Sequence, residues 1–334
     1  MVKEDIKIEH KQLFLFSKFR KGSNKMKSNL YLIKLFLKAS RPRHWTKNLL
    51  VFLAPIFTFQ YELIIWMNSF KTLVCFCLIS SGIYIFNDII DAKYDRLHPV
   101  KKYRPIAAKL ISKKSAYIFL ISLITISLIF GYFISNYLFL ILFTYFIIQI
   151  SYCIKLKQEP IFELICISSG FLLRAIAGGV SSEVTLSPWF LLSVGLLALF
   201  LALEKRKAEL RNINDNQFTT RKVLKRYSLP LLLRWESLVA TSSFVTYSLW
   251  ASGPALQGAK TSWMLLSVPF VLIGIFRYQL IGDPDEVNRM SLKSNNDSIK
   301  STENPEKILL EDKVICITVI CWLLSIIIIG LIKL

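Results

Sequence analysis

Nine stretches of this sequence are apolar for close to the length that crosses a bilayer, and that repetition restricts the fold more than any other feature. They run roughly over 46–66, 70–87, 116–134, 137–154, 161–180, 187–204, 230–251, 263–281 and 314–333. In hydrocarbon every backbone N–H and C=O must find a partner within the protein, which leaves helices or a closed barrel. The runs are continuous rather than alternating, so they read as helices. The expectation is an all-α, polytopic membrane bundle of about nine transmembrane helices. Composition agrees, with 54% hydrophobic residues and a mean hydropathy of +0.48. Ahead of the first run, residues 29–39 read as an amphipathic helix on the membrane surface, with Lys34 and Lys38 one turn apart. This divides the chain into a basic N-terminal segment, 1–40, and a transmembrane domain, 41–334. A polar stretch rich in Asn, Ser and Asp, 282–305, reads as an insertion in that domain. Residues 1–28 carry no signal-peptide pattern, so insertion is expected to rely on the internal spans.

The net charge of +20 suits either a nucleic-acid binder or a membrane protein with basic cytosolic loops. Position decides between them. With the N-terminus inside, nine spans put 37 of the 42 Lys and Arg on the cytosolic side. Only Lys71, Lys260 and Lys333 fall outside, while Arg174 and Arg234 lie within or beside spans. The asymmetry accounts for the charge, and nucleic acid is not needed as a partner. The cytosolic loops are also the long ones, so chemistry on soluble substrates is expected there. The six cysteines form no CxxC pair, have no zinc-like spacing with the three histidines, and read as small apolar fillers.

Chemistry concentrates at the cytosolic end of the second run, in Asn87-Asp88-Ile89-Ile90-Asp91-Ala92-Lys93-Tyr94-Asp95. At ~100° per residue, Asn87, Asp91 and Asp95 fall at about 0°, 40° and 80° around a helix, and Asp88 at about 100°. Three carboxylates on one arc repel unless a cation joins them. Mg²⁺ is hard, takes oxygen ligands and bridges carboxylates to substrate phosphates. Asn87, Asp88, Asp91 and Asp95 are therefore the expected centre of a metal–diphosphate site rather than a solvated helix end. Lys102 and Arg104 follow, as ordinary cytosolic charge or as phosphate ligands. Glu204-Lys205-Arg206-Lys207-Ala208-Glu209 ends the sixth run. Its residues are helix-end ion pairs, or an opposing half-site in which Glu209 ligates metal and Lys205 and Arg206 hold phosphate. Arg174 stands within the apolar run 161–180, where a charge is costly and faces a cavity or a partner. Either it lines a substrate cavity or it pairs with Glu163. Lys47 and Asn48, opening the first span, make a similar case.

These residues resemble the UbiA prenyltransferase superfamily. In detail they are similar to its branch that transfers phosphoribosyl to decaprenyl phosphate. The likeness rests on Arg41-Pro42-Arg43-His44-Trp45-Thr46-Lys47-Asn48, the Asn87–Asp95 run, and Lys102-Tyr103-Arg104-Pro105. It continues through Ser169–Gly179, Ser187-Pro188-Trp189-Phe190 and Lys205-Arg206-Lys207-Ala208-Glu209-Leu210, and covers about residues 30–334. It implies an Mg²⁺-dependent enzyme that moves 5-phosphoribosyl from 5-phosphoribosyl 1-diphosphate to a polyprenyl phosphate, multi-pass in a bacterial plasma membrane with its active face cytosolic. Asp88, Asp91 and Asp95 are then catalytic. Lys47, Lys102, Arg104, Arg174, Lys205 and Arg206 are candidates for holding substrate phosphate. A Lys-Arg…Glu set where a second acidic motif would be expected agrees with a donor bearing an extra 5-phosphate. Glu204 stands where this branch has a small residue, and His44 replaces a Gln. Two alternatives remain. One is a prenyltransferase with an aromatic or other acceptor, which would carry a second acidic pair near Lys205. The other is a transporter, which would spread ionisable groups across the bilayer midplane. Acceptor chain length and oligomeric state, a homo-oligomer included, stay open.

Overall fold

The computed structural model describes residues 25–98, 100–215, 222–283, 308 and 311–333. The N-terminal residues 1–24 and nearly all of the 282–305 insertion fall outside them. Among the described residues there is no strand. Helix α1 (Lys25–Ser40) leads into a 3-10 helix, Pro42–Phe52, continued by α2 (Leu53–Phe57). Then come α3 (Leu63–Asp95), α4 (Lys113–Ile134), α5 (Asn136–Ile154), α6 (Phe162–Ser181) and α7 (Pro188–Asp215). The chain ends with α8 (Leu229–Ala251), a 3-10 helix Ser262–Ser267 running into α9 (Val268–Ile281), and α10 (Lys313–Lys333).

Among the described residues, seven helical segments are long and apolar enough to cross a membrane: those at Leu63–Asp95, Lys113–Ile134, Asn136–Ile154, Phe162–Ser181, Pro188–Arg211, Ser262–Ile281 and Lys313–Ile332. The expected count of nine is thus not reached by that measure. Of the other two runs, α8 has the length but is broken by Arg234, Glu236 and a series of serines and threonines. The first run differs most. Its helix starts earlier, at Pro42, and stops at Phe57, and residues 63–66 belong to α3. A polar turn, with Phe59 in the left-handed region at φ 54° and Gln60 and Glu62 beside it, separates the two; apolar counting alone passed over it. Eleven 3-10 residues at ~2.0 Å and five α residues at ~1.5 Å still reach about 30 Å, the hydrocarbon thickness. The stretched form brings backbone close to α6. A Cβ on Gly178 would stand 2.1 Å from the Val51 carbonyl oxygen, so only glycine fits there.

Local signals set the other boundaries. Ser112 caps α4 by accepting from the Ser115 N–H at 3.0 Å. Ser135 ends α4 and caps α5 by accepting from Tyr137 N–H, so one residue turns an antiparallel hairpin. Ser228 caps α8, with Pro230 in its first turn. One buried cluster joins α1, α3, α4 and α5 around Phe76, Ile79, Ile85, Leu138 and Leu142. A second joins α6 to α9 around Phe200, Leu203 and Leu232. A third, aromatic cluster of Phe57, Phe190, Tyr247 and Trp250 closes one end of the bundle. The C-terminal ends of α3, α5 and α7 and the N-terminal ends of α6 and α8 meet at the other, and the charged residues gather there.

Candidate active site

Helix α3 runs unbroken through the acidic motif, so Asn87, Asp88, Asp91 and Asp95 share one helical arc as their spacing predicts. The arc faces two ways. Asp88, 2% exposed, and Asp95, 5% exposed, turn into the protein. The Arg104 guanidinium bridges them, its Nη1 donating to Asp88 Oδ1 at 3.1 Å and to Asp95 Oδ2 at 2.8 Å. Arg41 donates to the same Asp88 oxygen. A buried carboxylate needs such partners, and both guanidiniums keep about a quarter of their surface exposed. Arg41 holds a left-handed conformation, φ 52° and ψ 62°, at the entry to the 3-10 helix. That bend carries its side chain over the Tyr84 ring, 5.0 Å from the centroid.

Asp91 and Asn87 face a different cation. The Lys157 ammonium donates to Asp91 Oδ1 at 2.6 Å and to Asn87 Oδ1 at 3.4 Å. Asp91 and Lys157 are both partly exposed. Two oxygens on successive turns of α3 therefore converge on one positive centre. This donor set fits Mg²⁺, which takes one or two carboxylates and completes its shell with phosphate and water. Among the described residues no three His, Cys, Asp or Glu side chains converge. The expected ligand set of Asn87, Asp88, Asp91, Asp95 and Glu209 is not assembled around one point, because Asp88 and Asp95 face guanidiniums and Glu209 faces Arg206.

The second cluster stands across the end of α5, whose Tyr152 lies near Arg206 and whose Cys153 lies near Asp91 and Lys157. Arg206 is 1% exposed. Its Nε donates to Glu163 Oε1 at 2.9 Å and its Nη1 to Glu209 Oε2. Glu163 thus pairs with Arg206 and not with Arg174. Lys205 is partly exposed on the same turn of α7. On the opposite side of α7, Lys207 donates to Glu204 Oε1 at 2.6 Å and to Glu236 on α8, and Gln279 donates to Glu236 at 2.9 Å. Glu204, one of the residues that depart from the resemblance, is held in this buried network.

Arg174 is deeper. Its Nε donates to Asn48 Oδ1 at 2.7 Å, its Nη2 to Tyr145 Oη at 2.9 Å and its Nη1 to the Gly170 carbonyl. Its guanidinium also lies 4.8 Å from the Tyr145 ring centroid and 5.4 Å from that of Phe76. Asn48 in turn donates to Ser80 at 3.5 Å, eight residues before Asp88 on α3, or ~12 Å below it at ~1.5 Å per residue. Arg174 therefore joins three helices below the acidic arc. Lys47, half-buried, lies near Tyr145. Lys102 is exposed, its ammonium 5.2 Å from the Tyr103 ring centroid. Beside it the His98 Nδ1 accepts from the N–H groups of Val100 and Lys101 at 3.1 and 3.3 Å. Burial first, then Lys101, hold the His98 pKa below its usual value.

Arg41 stands in the first of the quoted motifs without an assigned role, and Lys157 lies outside them. Their carboxylate partners lie 47 and 66 positions away in sequence, and no local spacing marks them.

The sequence profile of the UbiA prenyltransferase family matches residues 48–294. A decaprenyl-phosphate phosphoribosyltransferase of Mycolicibacterium smegmatis is 34% identical over 306 residues, covering 87% of this chain and 91% of that protein. One from Corynebacterium glutamicum is 33% identical over 301 residues, with coverages of 87% and 85%. Among solved structures, a UbiA homolog from Archaeoglobus fulgidus bound to GPP and Mg²⁺ superposes with a TM-score of 0.65 at 17% identity. The match covers 89% of this chain and 100% of the other.

Proposed function

This chain belongs to the UbiA prenyltransferase family and is a membrane-embedded transferase, and on that premise we propose that it moves 5-phosphoribosyl from 5-phosphoribosyl 1-diphosphate to a polyprenyl phosphate, releasing diphosphate. The observation that carries the reading is the second cluster. Opposite the acidic arc stands Lys205–Arg206–Glu209, in which Arg206 is tied to two carboxylates and Lys205 is partly exposed. A prenyl diphosphate donor needs acids and metal on both sides. A donor with a further 5-phosphate, and an acceptor that is itself a phosphate, call for cations on one side instead. Relatives at 33–35% identity that carry the phosphoribosyltransferase name support the same choice.

Asn87 and Asp91 would hold Mg²⁺, which when bound neutralises charge on the departing diphosphate. Lys157 lies at those two oxygens and is the group that moves onto the diphosphate. Asp88 and Asp95 fix Arg104 and Arg41 beside it. Lys47, Arg104, Lys205 and Arg206 set the two anionic substrates within reach while offsetting their repulsion. Glu209 and Glu163 orient Arg206. The acceptor phosphate is ionised at neutral pH, so the site supplies position and charge rather than a general base. Arg174 pins α5, α6 and the first span below the reacting groups. The 37-to-3 charge asymmetry supports a cytosolic active face in a bacterial plasma membrane.

The test is a vesicle assay with purified protein, offering 5-phosphoribosyl 1-diphosphate labelled in the ribose or prenyl diphosphate labelled in the chain, each with and without EDTA. Label is expected in a polyprenyl lipid from the first donor alone, and only without EDTA. Transfer from the second donor to an acceptor overturns the reading.

A further inference from the structure

One turn of the chain serves both halves of the site. Residues 155–161 link α5 to α6, and their 3-10 helix, Leu156–Gln158, brings Lys157 to Asn87 and Asp91. Just beyond it, Glu163, the second residue of α6, accepts from Arg206. The turn is sharply bent to do this. Ile161 stands at φ 67° and ψ −56°, and the Phe162 N–H donates to the Pro160 carbonyl at 2.7 Å. That is a three-residue turn which a β-branched residue adopts only where its surroundings impose it.

The imposing partner comes from the segment after α7. Val223, Leu224 and Tyr227 are buried in the second core cluster, while Lys225 and Arg226 between them are exposed. On the 3-10 helix Lys222–Arg226 that pattern lays the segment against the turn. Arg226 donates to Glu159 at 2.9 Å, an exposed pair that holds little by itself. Tyr227, 6% exposed, reaches deeper, and its hydroxyl oxygen accepts from the Ile161 N–H at 3.2 Å. At the start of a helix that N–H has no partner within the helix, so the tyrosine satisfies it.

Two atoms are left over, and they lie side by side. Having accepted from Ile161, the Tyr227 hydroxyl still has its own hydrogen to give. It keeps that hydrogen through the physiological range, because burial first, and then the neighbouring Glu163 carboxylate, push its pKa up to about 12. Glu163 is fully buried. Its Oε1 takes the Arg206 Nε, and its Oε2 has no hydrogen-bond partner among the described residues. A buried carboxylate oxygen without a donor is costly.

We infer that Tyr227 is a positioning residue of the transferase site: its hydroxyl accepts from Ile161, donates to Glu163 Oε2, and so fixes at once the turn that presents Lys157 and the carboxylate that aims Arg206. The inference deepens the phosphoribosyl-transfer reading above and rests on it. The tyrosine acts through these two cations, which that reading sets against substrate phosphate, and not on substrate itself.

The experiment uses the full-length protein in vesicles and measures kcat and the donor KM for Tyr227→Phe, Glu163→Gln, the double variant and Trp235→Phe. Trp235 packs edge-on against the Tyr227 ring at 6.0 Å, so Trp235→Phe disturbs the packing and leaves the hydroxyl. The expected result for Tyr227→Phe is a donor KM raised about tenfold, the scale of one hydrogen bond to a charged group, with kcat nearly unchanged. Trp235→Phe should keep the wild-type KM. The double variant should fall short of the product of the two single effects, because both act on one carboxylate. Hydrogen exchange at Ile161, measured without substrate, should be slow in the wild type and in Trp235→Phe and faster in Tyr227→Phe. An unchanged donor KM in Tyr227→Phe overturns the proposal. So does an equal rise in Trp235→Phe, which makes the effect one of packing, or single effects that simply multiply. Fast exchange at Ile161 in the wild type overturns it without any variant, should Tyr227→Phe not accumulate. Wild-type protein that takes a prenyl diphosphate in place of the phosphoribosyl donor overturns the donor reading alone; exchange at Ile161 and the KM of the donor actually used still decide the role of Tyr227.

Discussion

At the scale of single residues, the arc on α3 contains carboxylates of two kinds, and they should fail differently. Asp91 is partly exposed and meets one ammonium. Asp91→Ala removes half of the oxygen pair that converges on a cation, and costs little folding energy because surface pairs contribute about 0–1 kcal/mol. The expected outcome is normal accumulation in membranes with turnover reduced by at least about a hundredfold, the scale of losing a main electrostatic contact in the transition state. Near-normal activity would remove Asp91 from the site. Asp88 is buried and receives two guanidiniums. Asp88→Ala leaves Arg41 and Arg104 facing each other with one carboxylate fewer, which by analogy with broken buried pairs costs about 3 kcal/mol. Thermal inactivation in detergent should therefore fall for Asp88→Ala and hold for Asp91→Ala, while both lose activity. The helical period made the arc itself legible, since three of its members recur every four residues. It could not tell which members turn inward, because that depends on Arg104 from the next loop and Arg41 from another helix.

At the scale of elements, the loop after α3 is held by a histidine that works only when neutral. His98 Nδ1 accepts two backbone N–H groups, and a protonated ring cannot accept there. Its pKa is lowered in the folded loop, through burial and the neighbouring Lys101. The opened loop therefore binds the proton first, and the contribution to stability is complete above the ordinary value of 6.5. It is lost as pH falls through the lowered one. Hydrogen exchange at Val100 and Lys101, corrected for intrinsic rates, should show protection at pH 7.5 that fades toward pH 5. Protection unchanged with pH would mean that His98 does not hold the turn. This loop delivers Arg104 to the acids, so activity should decline over the same range. The loop also shows where motif reading stops: Lys102 and Arg104 are two residues apart and looked equivalent, yet Arg104 turns to Asp88 and Asp95 while Lys102 lies out over Tyr103. The first span was misplaced for a related reason. Hydropathy sums registered apolar residues on both sides of Gln60 and Glu62, and nothing in the sum distinguishes a stretched 3-10 helix from an α-helix.

At the scale of the whole molecule, the same physics that made the bundle legible also orients it. Continuous apolar runs admit only helices in lipid, and the described helices gather their buried ion pairs at one end and their aromatic cluster at the other. The basic loops belong to the charged end. Lys71 and Lys260 stand toward the opposite end: Lys71 lies within α3, in its N-terminal part, and Lys260 between α8 and α9. If the basic end is cytosolic, a thiol introduced at Lys260 and one introduced at Lys102 must differ in access. Lys102→Cys is exposed at the charged end and Lys260→Cys is exposed at the other. In intact cells, a membrane-impermeant maleimide should label Lys260→Cys and spare Lys102→Cys, and permeabilisation should open the second site. The six native cysteines are buried or half-buried, so their background is low and is measured on the unmodified chain. The reverse pattern would turn the protein over and put the acidic arc on the outside. There a soluble, phosphorylated sugar donor made in the cytosol could not reach it, so orientation and donor stand or fall together.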